Sequence, residues 1–201
     1  PELTWQEIYY PIIKQNENRI PRQSNGLGYY WLNEAQKIKY MIATYNKAAG
    51  MDFASIKFII QNLTNTPSGY TIVFINHGGI NANGTIQNGM DSIVDALDAV
   101  RNKGTYTFDG TVYDFSNADY TAACVIVGHS HKDFSYTSSS GMPLIGVTTD
   151  AYLYNEDQGT TRTFGTTSEQ AFDVFIINTS AQSISTVTVG GGNNRSFSYA
   201  V

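Results

Sequence analysis

Two short runs of apolar residues constrain this chain more than any other feature of its sequence. The first covers residues 70–75 and the second residues 122–127. Neither run alternates between apolar and polar side chains, so each predicts a strand that is buried on both faces. Strands of this kind lie in the interior of a sheet, and the chain therefore needs further elements to cover both sides of that sheet.

The remaining pattern predicts helices first and strands alone afterwards. Helical spacing of apolar residues predicts helices over residues 2–14, 51–63 and 91–100, and residues 29–32 with 37–45 predict a hairpin. Beyond Phe134 the pattern is typical of strands, at residues 142–147, 171–177, 184–189 and 196–199. This order predicts an α+β fold whose C-terminal third is nearly all β. No repeat or linker divides residues 1–201, which indicates one domain.

Composition excludes some classes of function. The net charge is −5, with 12 Lys and Arg residues and no basic cluster, so binding to a nucleic-acid backbone is not expected. An anionic substrate would need its positive partner from elsewhere, and a metal ion would serve. The single cysteine, Cys124, lies in the second apolar run and is expected to be a buried structural thiol. No apolar run approaches the ~18 residues of a membrane span, so no membrane partner is expected.

All three histidines follow the two predicted buried strands. His77 comes directly after the first, and His129 and His131 come after the second, each group beside a glycine that allows a turn. In open α/β sheets this edge is where ligands bind. On extended backbone, residues i and i+2 point the same way, so His129 and His131 can face one point. If the two strands are neighbours, His77 faces it as well.

Imidazoles that converge in this way favour a transition-metal site. Imidazole suits Zn, Mn, Fe, Ni and Cu, and a bound metal can lower the pKa of water from 15.7 towards ~7. The alternative is three unrelated polar residues that close strand ends. The equivalent placement of every histidine favours the metal. Asp133 could orient an imidazole or, more commonly, cap a turn, and Asn76 is expected to shape the loop at His77.

The histidine motifs resemble those of a known family. The segment VIVGHSH at residues 125–131 resembles the Gly-His-X-His signature of calcineurin-like metallophosphoesterases, and VFINHGG at residues 73–79 resembles the lone-histidine motif that precedes it. Residues 169–199 resemble the ending of phage and prophage phosphoesterases. The resemblance spans nearly the whole chain. It implies part of a four-layer β-sandwich flanked by helices, and the hydrolysis of phosphomonoesters, diesters or nucleotides.

The resemblance also implies ligands and cofactors. His77 and His129 would bind one ion of a divalent pair of the Mn, Fe or Zn type, and His131 would bind the other. The family's earlier Asp-X-His, Gly-Asp-X-X-Asp and Gly-Asn-His motifs do not occur in this sequence. We therefore expect the chain to be the C-terminal portion of a metallophosphoesterase domain, with those motifs upstream of Pro1. Alone it is expected to bind metal weakly and to show little or no phosphoesterase activity.

Two other functions remain open from the sequence. One is a mononuclear zinc hydrolase with three histidine ligands, complete in this chain, for which one tightly bound zinc would be the evidence. The other is a non-catalytic phage structural or attachment module, against which the three retained histidines argue. Exposed sheet edges would favour pairing with a second copy of the chain. The resemblance favours a bacterial cytoplasmic or phage-associated setting.

Overall fold

The computed structural model describes residues 28–43, 50–148, 162–163 and 165–201. The predicted helix at residues 2–14 lies outside this part of the chain. The described elements are two helices, α1 (Phe53–Leu63) and α2 (Met90–Arg101), and eleven strands. In chain order the strands are β1 (Gly28–Asn33), β2 (Ile38–Ala43), β3 (Thr71–Asn76), β4 (Thr105–Phe108), β5 (Thr111–Asp114), β6 (Thr121–Val127), β7 (Phe134–Thr137), β8 (Pro143–Gly146), β9 (Ala171–Asn178), β10 (Ser183–Gly190) and β11 (Arg195–Ser198).

A six-stranded mixed sheet forms the centre of the described structure. Its order is β1-β2-β3-β6-β8-β7, in which β2, β3, β6 and β8 run parallel and the two outer strands are antiparallel to their neighbours. The two apolar runs form β3 and β6, which are adjacent, and almost every residue in them is buried. The prediction of two strands buried on both faces is confirmed.

Two layers cover this sheet. Both helices pack on one face, where Ile59, Ile60, Ile93 and Leu97 meet Phe74 and Val125. The antiparallel sheet β11-β10-β9 covers the other face, where Ile184 and Tyr199 meet Val73, Cys124 and Ile126. The α+β class is therefore confirmed. Of the expected four-layer sandwich, the described residues show three layers, namely helices, a mixed sheet and an antiparallel sheet.

Local sequence explains where α1 begins and which side it buries. Asp52 precedes the helix in an extended conformation, and its side chain accepts a hydrogen bond from the backbone N–H of Ser55 at 2.9 Å. Such an N-cap contributes about 1 kcal/mol, because the first N–H groups of a helix have no partner within it. Ile56, Ile59, Ile60 and Leu63 are buried, as their helical spacing predicts.

Two hairpins of the described structure differ in whether the sequence analysis predicted them. The hairpin at residues 29–32 and 37–45 is confirmed in β1 and β2, which pair antiparallel around a turn. The hairpin of β4 and β5 was not predicted, although Asp109-Gly110 between alternating residues is a strong signal for a two-residue turn. Both residues adopt positive φ, 51° and 68°, as the type I′ turn requires.

Cys124 lies in the core, as expected. It is a free, buried thiol, and burial raises its pKa to about 12. No helix in the described part of the chain is both long and apolar enough to cross a membrane. Pairing of two copies through a sheet edge stays a prediction.

Lys39 is a charged residue within this core. Its side chain is 0% exposed, and its Nζ donates hydrogen bonds to the carbonyl oxygen of Asn62 at 2.5 Å and to Thr66 Oγ1 at 3.2 Å. The ammonium also lies 4.3 Å from the centre of the Tyr30 ring. Burial lowers the pKa of Lys39 from 10.5 to about 8, because none of these partners carries a negative charge.

We expect the free energy of unfolding to contain a component that rises with pH between about 8 and 10.5. In that interval the unfolded chain holds a proton on Lys39 that the folded chain has released, so higher pH favours the folded state by up to about 3 kcal/mol. Urea unfolding of the wild type and of Lys39→Met from pH 7 to 11 measures it. The difference between the two proteins isolates Lys39 from the buried thiol and tyrosines. An equal pH dependence in both would contradict this expectation.

Candidate metal centre

The central sheet brings two of the three histidines together. β3 and β6 are adjacent and parallel, and Asn76 is in register with Val127, so both strands end at the same edge. The residues that follow meet there, and His77 Nε2 lies 3.1 Å from His129 Nδ1. The ring centres are 5.0 Å apart with an interplanar angle of 69°. Convergence of His77 and His129, which required the two strands to be neighbours, is confirmed.

The loop after β6 differs from the extended backbone that we expected. His129 and His131 both adopt left-handed conformations, with φ of 66° and 53°, whereas Gly128 does not. The Gly128 N–H donates to the carbonyl oxygen of His77 at 3.0 Å, and the Ser130 N–H donates back to the Gly128 carbonyl at 2.8 Å. The backbone therefore turns at His129 and His131 and not at Gly128. The rule that residues i and i+2 point the same way does not apply to this loop.

His131 does not complete a three-residue metal site with the other two histidines among the described residues. Within the part of the chain that the structure describes, no three His, Cys, Asp or Glu side chains are placed to hold one metal ion together. The backbone of His131 is fixed, since Thr148 Oγ1 donates to its carbonyl oxygen at 3.2 Å. Among the described residues, the three histidines therefore do not form one three-imidazole site.

Asn76 shapes the loop at His77, as the sequence suggested. It is the last residue of β3 and is buried, and its Nδ2 donates to the carbonyl oxygen of Gly78 at 3.0 Å. The same nitrogen lies 3.4 Å from Met51 Sδ. Asn76 Oδ1 is buried and has no hydrogen-bond partner among the described residues. A buried acceptor without a donor costs about 1–3 kcal/mol, so this loop is held at some expense in stability.

Asp133 contacts the residue Thr148 beyond β8 and Arg195 of β11. Its Oδ1 accepts a hydrogen bond from the Thr148 N–H at 3.0 Å and lies 3.4 Å from Arg195 Nη2. Burial raises the pKa of Asp133, while the Arg195 guanidinium and the Thr148 N–H act in the opposite direction. These contacts join the start of β7 to the chain beyond β8, and the role of Asp133 toward an imidazole stays a prediction. Arg195 and Thr148 were not singled out from the sequence, because nothing in their local pattern links them to the histidines.

The histidine pair has a geometry that suits one metal ion. Two imidazole nitrogens that bind the same zinc at about 2.0–2.1 Å, with an angle of roughly 90–110° between them, lie about 2.9–3.4 Å apart. The separation of 3.1 Å between His77 Nε2 and His129 Nδ1 falls inside that interval. His77 is exposed and His129 is partly exposed, so an ion can reach them from solvent. Two nitrogens are half of a four-coordinate shell, and the other ligands must come from other groups.

Comparisons with known proteins support the fold alone. No family model matches the chain, and no curated protein matches it. Among solved structures it is similar to a dimetal phosphatase from Danio rerio, with a TM-score of 0.53 and 10% sequence identity. The match covers 86% of this chain and 60% of the phosphatase, so the chain spans less than two thirds of that protein's length. At this identity the likeness shows a shared arrangement of elements, and it is consistent with a metallophosphoesterase-like fold.

Proposed function

We propose that this chain provides part of the active site of a metal-dependent phosphoesterase that hydrolyses phosphoric esters with two divalent ions. The proposal rests mainly on one observation. His77 Nε2 and His129 Nδ1 lie 3.1 Å apart at one edge of the sheet. In this proposal His77 and His129 hold one ion and His131 holds the other. The substrate is a small phosphate ester or a nucleotide.

Three further observations support the proposal. The pair lies at the C-terminal edge of two adjacent parallel strands, where ligands bind in sheets of this kind. Two residues of one turn, His129 and His131, adopt strained, left-handed conformations, and strain of this type concentrates at functional sites. A solved structure that shares the fold is called a dimetal phosphatase.

The residues of this chain have a positioning role in such a site. When bound, divalent ions would supply the positive charge that a phosphoryl group requires and would lower the pKa of bound water. The chain's own part is to present two ring nitrogens at a fixed separation. The hydrogen bond from the Gly128 N–H to the His77 carbonyl contributes to this, because it joins the two loops that carry the pair.

Carboxylate ligands for a charge-balanced pair of ions are not evident in these residues. The Asp-X-His, Gly-Asp-X-X-Asp and Gly-Asn-His motifs are missing from the sequence, and no three-residue metal group forms in the described part. We therefore expect residues 1–201 alone to bind one divalent ion weakly and to turn over p-nitrophenyl phosphate little or not at all.

Calorimetric titration of the chain with Zn²⁺ and Mn²⁺ tests the proposal. We expect His129→Ala and His77→Ala each to lower metal affinity at least tenfold, because each removes one of two nitrogens that share an ion. Lys132→Ala is the matched control, since Lys132 is an exposed residue of the same loop, and it should bind as the wild type does.

Two results would contradict the proposal or one part of it. Equal metal affinity in the wild type and both histidine variants would show that His77 and His129 do not form the metal site. Strong turnover of p-nitrophenyl phosphate by the wild type, abolished in His129→Ala, would keep the phosphoesterase and refute the view that further ligands are needed.

A further inference from the structure

The loop that carries His129 and His131 cannot hold its shape through its own contacts. Two non-glycine residues at φ of 66° and 53° each cost on the order of 1 kcal/mol, and such conformations persist only where surrounding structure enforces them. The bond between Gly128 and His77 fixes the start of the loop. The far end of the loop, after His131, is contacted by a residue of the three-stranded sheet.

Arg195, the first residue of β11, reaches from the three-stranded sheet to that far end. Its Nη1 donates to the carbonyl oxygens of Phe134 at 3.1 Å and Gly146 at 2.9 Å. Phe134 and Gly146 are paired with each other in the ladder between β7 and β8. The guanidinium therefore binds both strands at the end of this ladder, where the histidine loop joins β7.

The same guanidinium begins a chain of contacts that ends on the backbone of His131. Arg195 Nη2 lies 2.5 Å from Asp173 Oδ2 and 3.4 Å from Asp133 Oδ1. Asp133 Oδ1 accepts from the Thr148 N–H at 3.0 Å, and the Thr148 hydroxyl donates to the His131 carbonyl at 3.2 Å.

These side chains are mostly shielded from water, with 15% exposure for Arg195 and 3% for Asp173. Charge-assisted hydrogen bonds in such surroundings are stronger than exposed ones and fix geometry more tightly. The planar, forked guanidinium satisfies two carbonyls and two carboxylates at once, which a lysine ammonium cannot do in the same geometry.

We infer that Arg195 is the positioning residue of the histidine loop: it ties β7, β8 and Asp133 together and so keeps His129 and His131 in their left-handed conformations. Its effect on metal binding rests on the proposed function. Its effect on the loop does not, because the contacts that carry it involve only residues of this chain.

The test compares Arg195→Met and Arg195→Lys with Arg101→Lys. Arg101 is the matched control, because it is also a buried arginine that donates to backbone carbonyls, those of Ala122 and Tyr199. Ala122 lies near the start of β6, about 17 Å of strand away from Val127 and the histidines. The control therefore weakens the fold without touching the loop.

Two readouts are needed: imidazole nitrogen and proton NMR signals of the metal-free protein, and Zn²⁺ affinity. We expect Arg195→Met to shift the His129 and His131 signals and to lower Zn²⁺ affinity about tenfold, as loss of supporting residues does at metal sites. Arg195→Lys should show a smaller shift of the same signals. Arg101→Lys should lower the melting temperature and leave both readouts at wild-type values.

The outcomes separate the two proposals. Unchanged imidazole signals in folded Arg195→Met would overturn the positioning role. Shifted signals in a protein whose wild type binds no zinc would uphold the positioning role and refute the metal site. If Arg195→Met does not fold, Thr148→Val takes its place, because it removes the hydroxyl that donates to His131 and accepts from Arg162, and it keeps the backbone N–H that donates to Asp133. The same shift of the His131 signals is then expected, and its absence would overturn the inference.

Discussion

Gly190→Ala is expected to lower the free energy of unfolding by about 3–4 kcal/mol, which corresponds to a fall in melting temperature of roughly 10 °C for a chain of this size. Gly190 ends β10 with φ of 88°, where any side chain adds strain. A Cβ there would lie 1.9 Å from the carbonyl oxygen of Gln170, a backbone atom that cannot rotate away. That carbonyl also accepts the Gly191 N–H at 2.9 Å, so relief of the clash would break the bond.

Gly110→Ala is the matched control for this prediction. Gly110 has a similar φ of 68°, in the turn between β4 and β5, but nothing lies within 4 Å of the position of an added Cβ. It should lose only the cost of a left-handed alanine, about 1 kcal/mol. Chemical unfolding of both variants measures the difference, which is the contribution of the close approach to Gln170. Equal losses would show that the two backbones separate easily at this point.

Arg101→Met is expected to destabilise the fold by about 3–5 kcal/mol, because it leaves buried acceptors without a donor. Arg101 is 3% exposed, and its Nη1 donates to the carbonyl oxygens of Ala122 at 2.8 Å and Tyr199 at 2.9 Å. It thereby joins α2 to β6 and to the residue after β11. Burial lowers the pKa of Arg101, and the charge of nearby Asp98 acts against that change.

Replacement of a buried ion pair by apolar residues is sometimes neutral, and Arg101 differs from that case for a structural reason. Its main partners are backbone carbonyls, which no substitution removes. Lys57→Met is the control, since the ion pair of Lys57 with Asp109 at 2.7 Å is exposed, and its loss should leave the melting temperature almost unchanged. A stable, cooperatively unfolding Arg101→Met protein would show that water satisfies the abandoned carbonyls.

The elements that the sequence predicts well are those whose signal is local. The apolar runs of β3 and β6, the helical spacing in α1 and the position of each histidine after a strand can all be read from neighbouring residues. Convergence of His77 and His129 required one further condition, adjacency of β3 and β6, and the structure meets it.

The features that could not be predicted depend on contacts between distant residues. The left-handed turn at His129 and His131 has no glycine signal at those positions, because the strain is offset by contacts that include Arg195, more than 60 residues away along the chain. The closeness of Gln170 to Gly190 depends in the same way on the register of β9 and β10. Nothing in the local sequence of Arg195, Thr148 or Gln170 reports these partners.

The layer order of the fold has a consequence for biosynthesis. The described strands of the central sheet all precede residue 147, whereas the described sheet that covers Val73, Cys124 and Ile126 is made from residues 171–198. At about 5–20 residues per second, a ribosome would need roughly 3–10 s to synthesise the chain from β8 to the end of that second sheet. For those seconds the nascent chain presents an apolar sheet face to the cell, and chaperones that bind exposed strands would have their best access to it then.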